Sequence, residues 1–232
     1  EFIINSSLKT FERFNQKEIH RISIHAFCSS IPIHSQLEAL KYLMDNNIIK
    51  TYGICNFNSE ELSRWINVCI NNKLPLPKSL DLHFNLFEQK ALVELFPILD
   101  KYNIFAIPYR VFCRGLLADR YDDFNNFPKN SRANYSWRVK KYITEEYILY
   151  LNYLKELAAE NDIDLISLIL KWTFSFNCIS KICIGTSSIK QLKQIMTCLR
   201  DLKLNDNFLI EKINKSKLPN NIYELPETFF EK

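Results

Sequence analysis

Short runs of apolar and β-branched residues alternate along the chain with longer segments in which apolar residues recur at helical spacing. The short runs are predicted to be five strands, at residues 21–25, 51–55, 79–84, 104–108 and 181–184. The longer segments are predicted to be helices, at residues 35–46, 91–101, 144–161, 163–175 and 188–202, with others beginning at Asn58 and after Leu204. Strands that alternate with helices are typical of a parallel sheet with crossover helices, so we expect an α/β fold.

Local signals mark where some of these helices begin. Ser35 is predicted to cap the helix at 35–46, and Asn58 with Glu61 three residues later has the spacing of a capping box. The helix after Asn58 is predicted to bury one apolar stripe, formed by Leu62, Trp65, Ile66, Cys69 and Ile70. Residues 115–134 form a long polar and aromatic loop, and loops of that length are uncommon unless they have a function.

Two parallel architectures are compatible with this order of strands and helices: an open dinucleotide-binding sheet and a barrel. No GxGxxG sequence follows any predicted strand, so an open dinucleotide-binding sheet would lack its phosphate loop, and we expect a barrel instead. A (β/α)8 barrel needs eight strands, whereas five are predicted here, so strands of the barrel are expected to be missing. The chain opens with Glu1 instead of Met, which we interpret as an artificial or processed boundary.

Composition narrows the classes of protein. A chain of 232 residues that is 47% hydrophobic and 24% charged can bury a substantial core, which excludes a disordered tail or a fibrous repeat. The net charge of +4 is too small and too evenly spread for a nucleic-acid surface, although it is compatible with a small anionic ligand. No apolar run approaches the roughly 20 residues of a membrane span. Seven irregularly spaced cysteines with no secretory segment are expected to be reduced thiols in the cytosol.

The three glycines of the chain each lie in or just beyond a strand-to-loop transition. Gly185 turns a predicted strand into a helix whose first turn carries Ser187 and Ser188, with Lys190 and Lys193 close behind. Such a helix N-terminus offers backbone N–H groups and the positive end of a dipole to an anion such as phosphate. An ordinary glycine turn followed by a serine N-cap explains the same residues.

Two further polar residues follow strands. Asn56 comes after the strand at 51–55, and its amide can hold a ligand amide as both donor and acceptor, or can serve as a turn or capping residue. His25 ends the strand at 21–25, where a structural histidine is the alternative to a catalytic one. The other three histidines have no ligand-like spacing with His25, so no metal site is expected.

Four segments together resemble the aldo-keto reductase family. Residues 39–58 (ALKYLMDNNIIKTYGICNFN) resemble a family helix followed by its GKIRYIGVSNF strand and turn, and GLLADRY at 115–121 is similar to the family's GLLTGKY stretch. PKNSRA at 128–133 is similar to the family's SRA segment, and IGTSSIKQL at 184–192 to its phosphate loop. The resemblance runs from the family's third helix to its C-terminus. It implies a single domain over residues 1–232 from which the first three strands of the barrel are absent.

This resemblance implies a (β/α)8 barrel that uses NADP(H) to reduce an aldehyde or ketone. His25 matches the family's active-site histidine, which orients the substrate carbonyl. In the family, the positions of Cys55, Asn56 and Asp81 hold the nicotinamide amide, and the position of Tyr109 stacks on its ring. The complete set of positions that match the family's cofactor contacts is Cys55, Asn56, Asp81, Tyr109, Arg110, Phe112, Cys113, Arg120, Arg132, Gly185, Ser187, Ser188, Gln191 and Gln194.

Some of these positions depart from the family's pattern. Cys55 replaces a serine, Asp81 replaces a glutamine, and Ile195 replaces an asparagine that contacts adenine in the family. A thiol is a weak donor and an ionised carboxylate only accepts, so nicotinamide recognition is expected to be weakened. Arg120 and Arg132 are either phosphate contacts, as in the family, or solvated loop charges.

The family's proton donor is a tyrosine tuned by a lysine and an aspartate, a case of general acid catalysis. The resemblance places all three on the absent early strands. Lys9 and Lys17 lie in or just after the first helix and cannot replace the family's strand lysine. The chain as given is therefore expected to be inactive alone.

Two other functions stay open at this point. One is a catalytically weak or inactive relative, a regulatory or redox-sensing subunit such as the potassium-channel β-subunits; His25 favours the enzyme, whereas Cys55, Asp81 and Ile195 favour the inactive relative. The other is an unrelated phosphosugar-binding barrel that uses only the last loop, which explains neither Asn56 nor the ordered matches. The expected partner of the enzyme is a small carbonyl compound.

Overall fold

The computed structural model describes residues 1–14, 18–121, 127, 129, 131–134, 136–202, 207–216 and 219. They belong to two compact units, of which the first comprises Glu1–Leu82 and Leu92–Ile107 and the second His83–Ala91 and Pro108–Lys232. The single domain over residues 1–232 stays a prediction.

A parallel sheet organises the first unit. Its strands are β1 (Ile19–Ile24), β2 (Ile49–Cys55), β3 (Ser79–His83) and β4 (Phe105–Tyr109), in the order β1-β2-β3-β4. The last residue of β3, His83, and the last two of β4, Pro108 and Tyr109, are counted with the second unit. β1 pairs with β2 and β2 with β3 in parallel, so that Gly53 lies between Ser23 and Ser79. These strands agree with four of the predicted ones to within two residues at each end, and the parallel sheet confirms the α/β class.

Helices follow the strands in this unit, as predicted. They are α1 (Phe2–Phe14), α2 (Ile33–Asp45), α3 (Ser59–Asn71), α4 (Lys90–Glu94) and α5 (Phe96–Tyr102). At the start of α3 the capping box is confirmed, since Glu61 N–H donates to Asn58 Oδ1 and Asn58 N–H donates to Glu61 Oε2, both at 2.9 Å. The predicted stripe of α3 is buried except for Ile70, which is 51% exposed because it lies at the edge of that face in the last turn.

Two helix predictions in this unit are wrong. Ser35 is not the N-cap of α2, which already begins at Ile33 after Pro32. There the buried side chain of Gln36 donates to the carbonyls of Cys28 and Ile31, at 3.2 and 2.9 Å, and so ties the preceding loop to the first turn. The single helix at 91–101 is two helices, because Pro97 lies in the first turn of α5 and lacks the N–H that would bond to the turn before it.

Helices dominate the second unit. They are α6 (Trp137–Lys140), α7 (Glu145–Glu160), α8 (Leu165–Phe174), α9 (Ile189–Arg200) and α10 (Asn207–Lys215), with short 3-10 turns at Cys113–Ala118 and Arg132–Asn134. Aromatic rings form much of its core; the ring of Phe84 stacks on Trp172 with centroids 5.0 Å apart. The helices predicted at 144–161, 163–175 and 188–202 are confirmed to within two residues at each end.

The predicted strand at 181–184 is wrong as a strand. These residues make a single parallel bridge, between Cys183 and Tyr109, in which Cys183 N–H donates to the Pro108 carbonyl at 2.8 Å. One bridge gives no ladder of hydrogen bonds, so the segment is extended chain that touches the end of β4. Of the predicted loop at 115–134, residues 122–126, 128 and 130 lie outside the described residues.

Candidate functional site

Four polar side chains meet across β1, β2 and β3 in the first unit. The Arg21 guanidinium crosses β2 and donates to Asp81 Oδ1 and Oδ2, at 2.8 and 3.1 Å, and also to Ser79 Oγ. Ser23 Oγ lies 3.4 Å from Asp81 Oδ2. Arg21 and Asp81 are 27% and 19% exposed, so this ion pair is largely withdrawn from water.

Gly53 makes the crossing of Arg21 sterically feasible. A Cβ at Gly53 would lie 2.8 Å from both Ser23 Oγ and Ser79 Oγ and 2.9 Å from Arg21 Nη1. Carbon atoms do not approach other heavy atoms so closely without displacement of one of them. Glycine at this position therefore leaves the space through which Arg21 reaches β3.

Cys55 belongs to the same cluster. Its thiol donates to Asp81 Oδ2 at 3.4 Å. Burial, reinforced by the Asp81 carboxylate, raises the pKa of Cys55 to about 12. The thiol is therefore protonated at neutral pH and is a poor nucleophile, which argues against redox sensing at this cysteine.

Asn56, directly after β2, is hydrogen-bonded to β3 and to the residue that follows β1. Its backbone is left-handed, with φ of 60°, and its N–H donates to the Asp81 carbonyl at 3.0 Å. Its side-chain Nδ2 donates to the His25 carbonyl at 2.9 Å. The structure thus brings Asn56, Asp81 and the His25 backbone together at one edge of the sheet, and the imidazole of His25 is on an exposed residue directly after β1.

The last residue of β4 and the segment after it carry four more of the predicted residues, in the second unit. The half-buried ring of Tyr109 stacks on His83, and Arg110 Cζ lies 5.3 Å from the Tyr109 centroid. Phe112 and Cys113 are 8% and 1% exposed, and burial raises the pKa of Cys113 well above its ordinary value. Both side chains lie in the core, so they are available to a ligand only through their backbone.

The 115–134 loop holds the two predicted arginines. Arg120 is half-buried, and burial lowers the pKa of its guanidinium. Its Cδ would lie 3.2 Å from a Cβ at Gly115, where φ is +105° and favours glycine. The backbone of Arg132 forms part of a 3-10 turn, and its side chain lies outside the described part of the chain.

The last predicted group lies at the start of α9. Ser188 is confirmed as its N-cap, with Oγ accepting from Gln191 N–H at 3.3 Å. Ser187 donates twice to Gln191 Oε1, from its N–H at 3.2 Å and from its hydroxyl at 3.1 Å. Nothing lies within 4 Å of a Cβ built on Gly185. Gln194 is exposed on the same helix.

This helix start fits an anionic group. The N–H groups of Ile189 and Lys190 lie in the first turn, where an α-helix offers no carbonyl partner, and the dipole adds positive potential. The exposed Lys190 and Lys193 add two positive charges. The open space beside Gly185 is large enough at that point for a ligand atom to approach the backbone.

One polar cluster was missed by the sequence analysis. His83 Nδ1 lies 2.8 Å from Glu88 Oε2, and Lys141 Nζ donates to Glu88 Oε1 at 2.9 Å; the first two side chains are 6% and 5% exposed. The alternation of side chains along β3 was the available signal, because it puts His83 on the same face as Asp81.

No helix in the described ranges is long and apolar enough to span a membrane. No three histidine, cysteine or acidic side chains among the described residues are arranged to hold a metal ion.

Comparison with known proteins adds to this geometry. A family model described as the aldo/keto reductase family matches residues 1–215. The chain is 24% identical over 209 residues to an aldo-keto reductase of Pseudocercospora fijiensis, covering 84% of this chain and 69% of that protein. It is 20% identical over 215 residues to a probable voltage-gated potassium channel subunit beta of Oryza sativa, covering 91% of this chain and 65% of that protein.

A solved structure has the same fold. It is an aldo-keto reductase from Bacillus halodurans in its holo form, 19% identical, with a TM-score of 0.70 over 96% of this chain and 70% of that one. The chain thus spans about two-thirds of the length of the proteins it resembles.

Proposed function

The chain belongs to the aldo/keto reductase family, and on that basis we propose that its protein uses NADP(H) to reduce an aldehyde or ketone to the alcohol. The observation that carries the proposal is the start of α9, where first-turn N–H groups follow Ser187 and Ser188, Lys190 and Lys193 are exposed, and a Cβ on Gly185 would meet nothing within 4 Å. A nucleotide phosphate is an anion of the kind that such a helix end binds. Because the chain spans only part of the related proteins, the activity proposed is that of the whole protein.

Residues of this chain are assigned to both the adenosine end and the nicotinamide end of the cofactor. Gly185, Ser187 and Ser188 would hold phosphate, with Gln191 and Gln194 toward the adenosine and Lys190 and Lys193 favouring a 2′-phosphate. Tyr109 offers an aromatic ring to the nicotinamide, with Arg110, Arg120 and Arg132 toward the pyrophosphate and the backbone of Phe112 and Cys113 nearby in sequence. At the carboxamide, Asn56 is the family-matching amide, whereas the Asp81 carboxylate is paired with Arg21.

The chemistry divides between cofactor and protein. NADP(H), when bound, supplies the hydride that the carbonyl carbon receives. His25, an exposed residue directly after β1, donates a hydrogen bond to the carbonyl oxygen and so orients the substrate and polarises its carbonyl. The Asn56 side chain steadies this arrangement, since it holds the backbone of His25 at 2.9 Å.

The proton for the new alcohol needs a general acid. By analogy with the family, we assign the role of general acid to a tyrosine with a neighbouring lysine and aspartate. These three residues would lie on three barrel strands other than β1 to β4. Among the described residues before His25, Lys9 lies in α1 and not on a strand, so it does not supply this lysine. Residues 1–232 alone are therefore proposed to be inactive towards 4-nitrobenzaldehyde, and addition of the further strands to restore NADPH oxidation.

The decisive experiment measures NADPH binding by fluorescence titration of the full-length protein. Ser187→Asp puts a carboxylate at the phosphate site and should weaken NADPH binding at least tenfold. Thr197→Asp is the matched control, because it adds the same charge to an exposed position of α9 about 12 Å along the axis from Ile189. Binding that is equally strong in both variants would place the phosphate elsewhere, and a comparison with NADH tests the 2′-phosphate preference.

A further inference from the structure

The cluster at the end of β3 lies outside the groups assigned above. It consists of His83, Asn85, Glu88 and Lys141, and all of them belong to the second unit. His83, Asn85 and Glu88 are buried, and Lys141 is 36% exposed and connects the cluster to solvent. Ionisable groups so far from water are costly unless their partners satisfy them, so their hydrogen bonds define what the cluster can do.

The hydrogen bonds determine which nitrogen of His83 carries the proton. Phe87 N–H donates to Asn85 Oδ1 at 2.8 Å, which fixes the orientation of the amide. Asn85 Nδ2 therefore faces His83 Nε2 at 3.2 Å, and it also donates to the Arg110 carbonyl at 3.2 Å. Because an amide nitrogen only donates, His83 Nε2 must accept, and the proton lies on Nδ1.

The charges agree with that tautomer. His83 Nδ1 lies 2.8 Å from Glu88 Oε2, and Lys141 Nζ donates to the other oxygen of that carboxylate. Burial lowers the pKa of His83, and the Arg110 and Lys141 cations lower it further, against the opposing effect of Glu88. Burial alone would raise the pKa of Glu88, but the contacts with His83 and Lys141 hold it below its ordinary value. The cluster thus contains a neutral imidazole beside a Glu–Lys ion pair.

The cluster acts on Tyr109 in two ways. The His83 ring lies parallel to the Tyr109 ring, with centroids 5.6 Å apart and an interplanar angle of 9°. Through Asn85, the cluster also holds the carbonyl of Arg110, whose backbone is left-handed with φ of 57°. The ring of Tyr109 and the chain immediately after it are therefore both fixed by the same hydrogen-bonded group.

We infer that His83 is a positioning residue for the cofactor: in its Nδ1–H form, held by Glu88 and Lys141, it orients Tyr109 for stacking on the nicotinamide. This inference rests on the proposed function, since it takes Tyr109 to be the stacking residue. The charged and titratable groups that face His83 are Glu88, Lys141, Arg110 and Tyr109. Protonation of His83 would set an Nε2–H against the Asn85 amide hydrogens and so release both contacts to Tyr109 and Arg110.

The first test concerns the tautomer and uses 15N NMR of the histidine side chains in the full-length protein, with His83→Gln to assign the signals. At pH 7.5 His83 should show a protonated Nδ1 and an unprotonated Nε2. A protonated Nε2 at that pH, whether in the neutral or the charged ring, would overturn the inference.

The second test is NADPH affinity between pH 5 and 8. At pH 8, His83→Phe keeps a flat ring beside Tyr109 and should bind within about threefold of the wild type, whereas His83→Ala should bind about three- to tenfold more weakly, the range of one aromatic pair. On acidification the wild type should lose more affinity than His83→Phe. The cofactor's own phosphate titrates near pH 6 in both proteins, so the difference between them isolates His83.

Lys141→Gln removes the ammonium that pairs with Glu88 and leaves His83, Asn85 and Tyr109 unchanged. Loss of the ammonium makes protonation of His83 easier, so the acid loss of NADPH affinity should move to higher pH. If the role of Lys141 were purely structural, Lys141→Gln would lower the stability of the protein without moving the pH at which NADPH affinity is lost. A loss of affinity at the same pH as in the wild type would therefore overturn the inference. If the wild type binds NADPH and both His83 variants show the same pH profile as the wild type, the inference is refuted and the proposed function is not. If the wild type does not bind NADPH, the proposed function and the inference are both refuted.

Discussion

Gly53→Ala is the sharpest test of the polar cluster on β1–β3. The added methyl group would lie 2.8 Å from Ser23 Oγ and Ser79 Oγ and 2.9 Å from Arg21 Nη1. The two serines are short side chains on paired strands and cannot move far, so Arg21 is the group that must leave. Its departure would break the two bonds to Asp81 and leave that carboxylate, 19% exposed, without its cation.

The cost follows from these contacts. Overpacking a filled site costs about 1–3 kcal/mol. A charge-assisted hydrogen bond contributes about 1.5–3 kcal/mol. The alanine also restricts the unfolded chain, which returns about 0.4–1 kcal/mol. We therefore expect Gly53→Ala to lower the free energy of unfolding by about 2–4 kcal/mol, several times the effect of an ordinary surface substitution.

The assay is urea unfolding of the full-length protein, followed by far-ultraviolet circular dichroism. Gly185→Ala is the matched control, because a Cβ there meets nothing within 4 Å, and it should stay within about 0.5 kcal/mol of the wild type. In Gly53→Ala combined with Arg21→Met, the clash with the guanidinium is absent, so the two substitutions should cost less together than the sum of each alone. Equal stability of Gly53→Ala and Gly185→Ala would refute the reasoning.

Three further predictions concern the candidate site and its surroundings. His25→Ala should lower kcat/KM for a test aldehyde with little change in NADPH affinity; the reverse pattern in steady-state kinetics and titration would make His25 structural. Arg132→Ala should raise the NADPH dissociation constant about tenfold or more, which is the contribution of one charge-assisted phosphate contact. A change below twofold in the titration would mean that Arg132 does not contact the cofactor. The free energy of unfolding should fall as pH drops below the ordinary His pKa of about 6.5, because burial lowers the pKa of His83 and the unfolded chain takes up that proton first. Denaturant titrations at several pH values check this, and His83→Phe should flatten the dependence.

Features that depend on neighbours along the chain could be predicted from the sequence. Asn58 and Glu61 form their capping box through bonds across three residues, and Ser188 caps α9 across the same distance. The alternation of apolar runs with helical segments predicted β1 to β4 and the α/β class for the same reason. In each case the partners lie within one helical turn or on one strand face, so spacing alone brings them together.

The predicted site residues were found by resemblance, and the structure decided their surroundings. Arg21 and Asp81 are 60 residues apart in the chain, and only the parallel register of β1, β2 and β3 puts them on either side of Gly53. Lys141 reaches Glu88 across 53 residues, and the orientation of the Asn85 amide then determines the proton on His83. Residues 181–184 have the composition of a strand, but a strand also needs a partner edge, and the end of β4 provides it only one bridge. Strand pairing and side-chain partners depend on where distant segments pack, which no local pattern specifies.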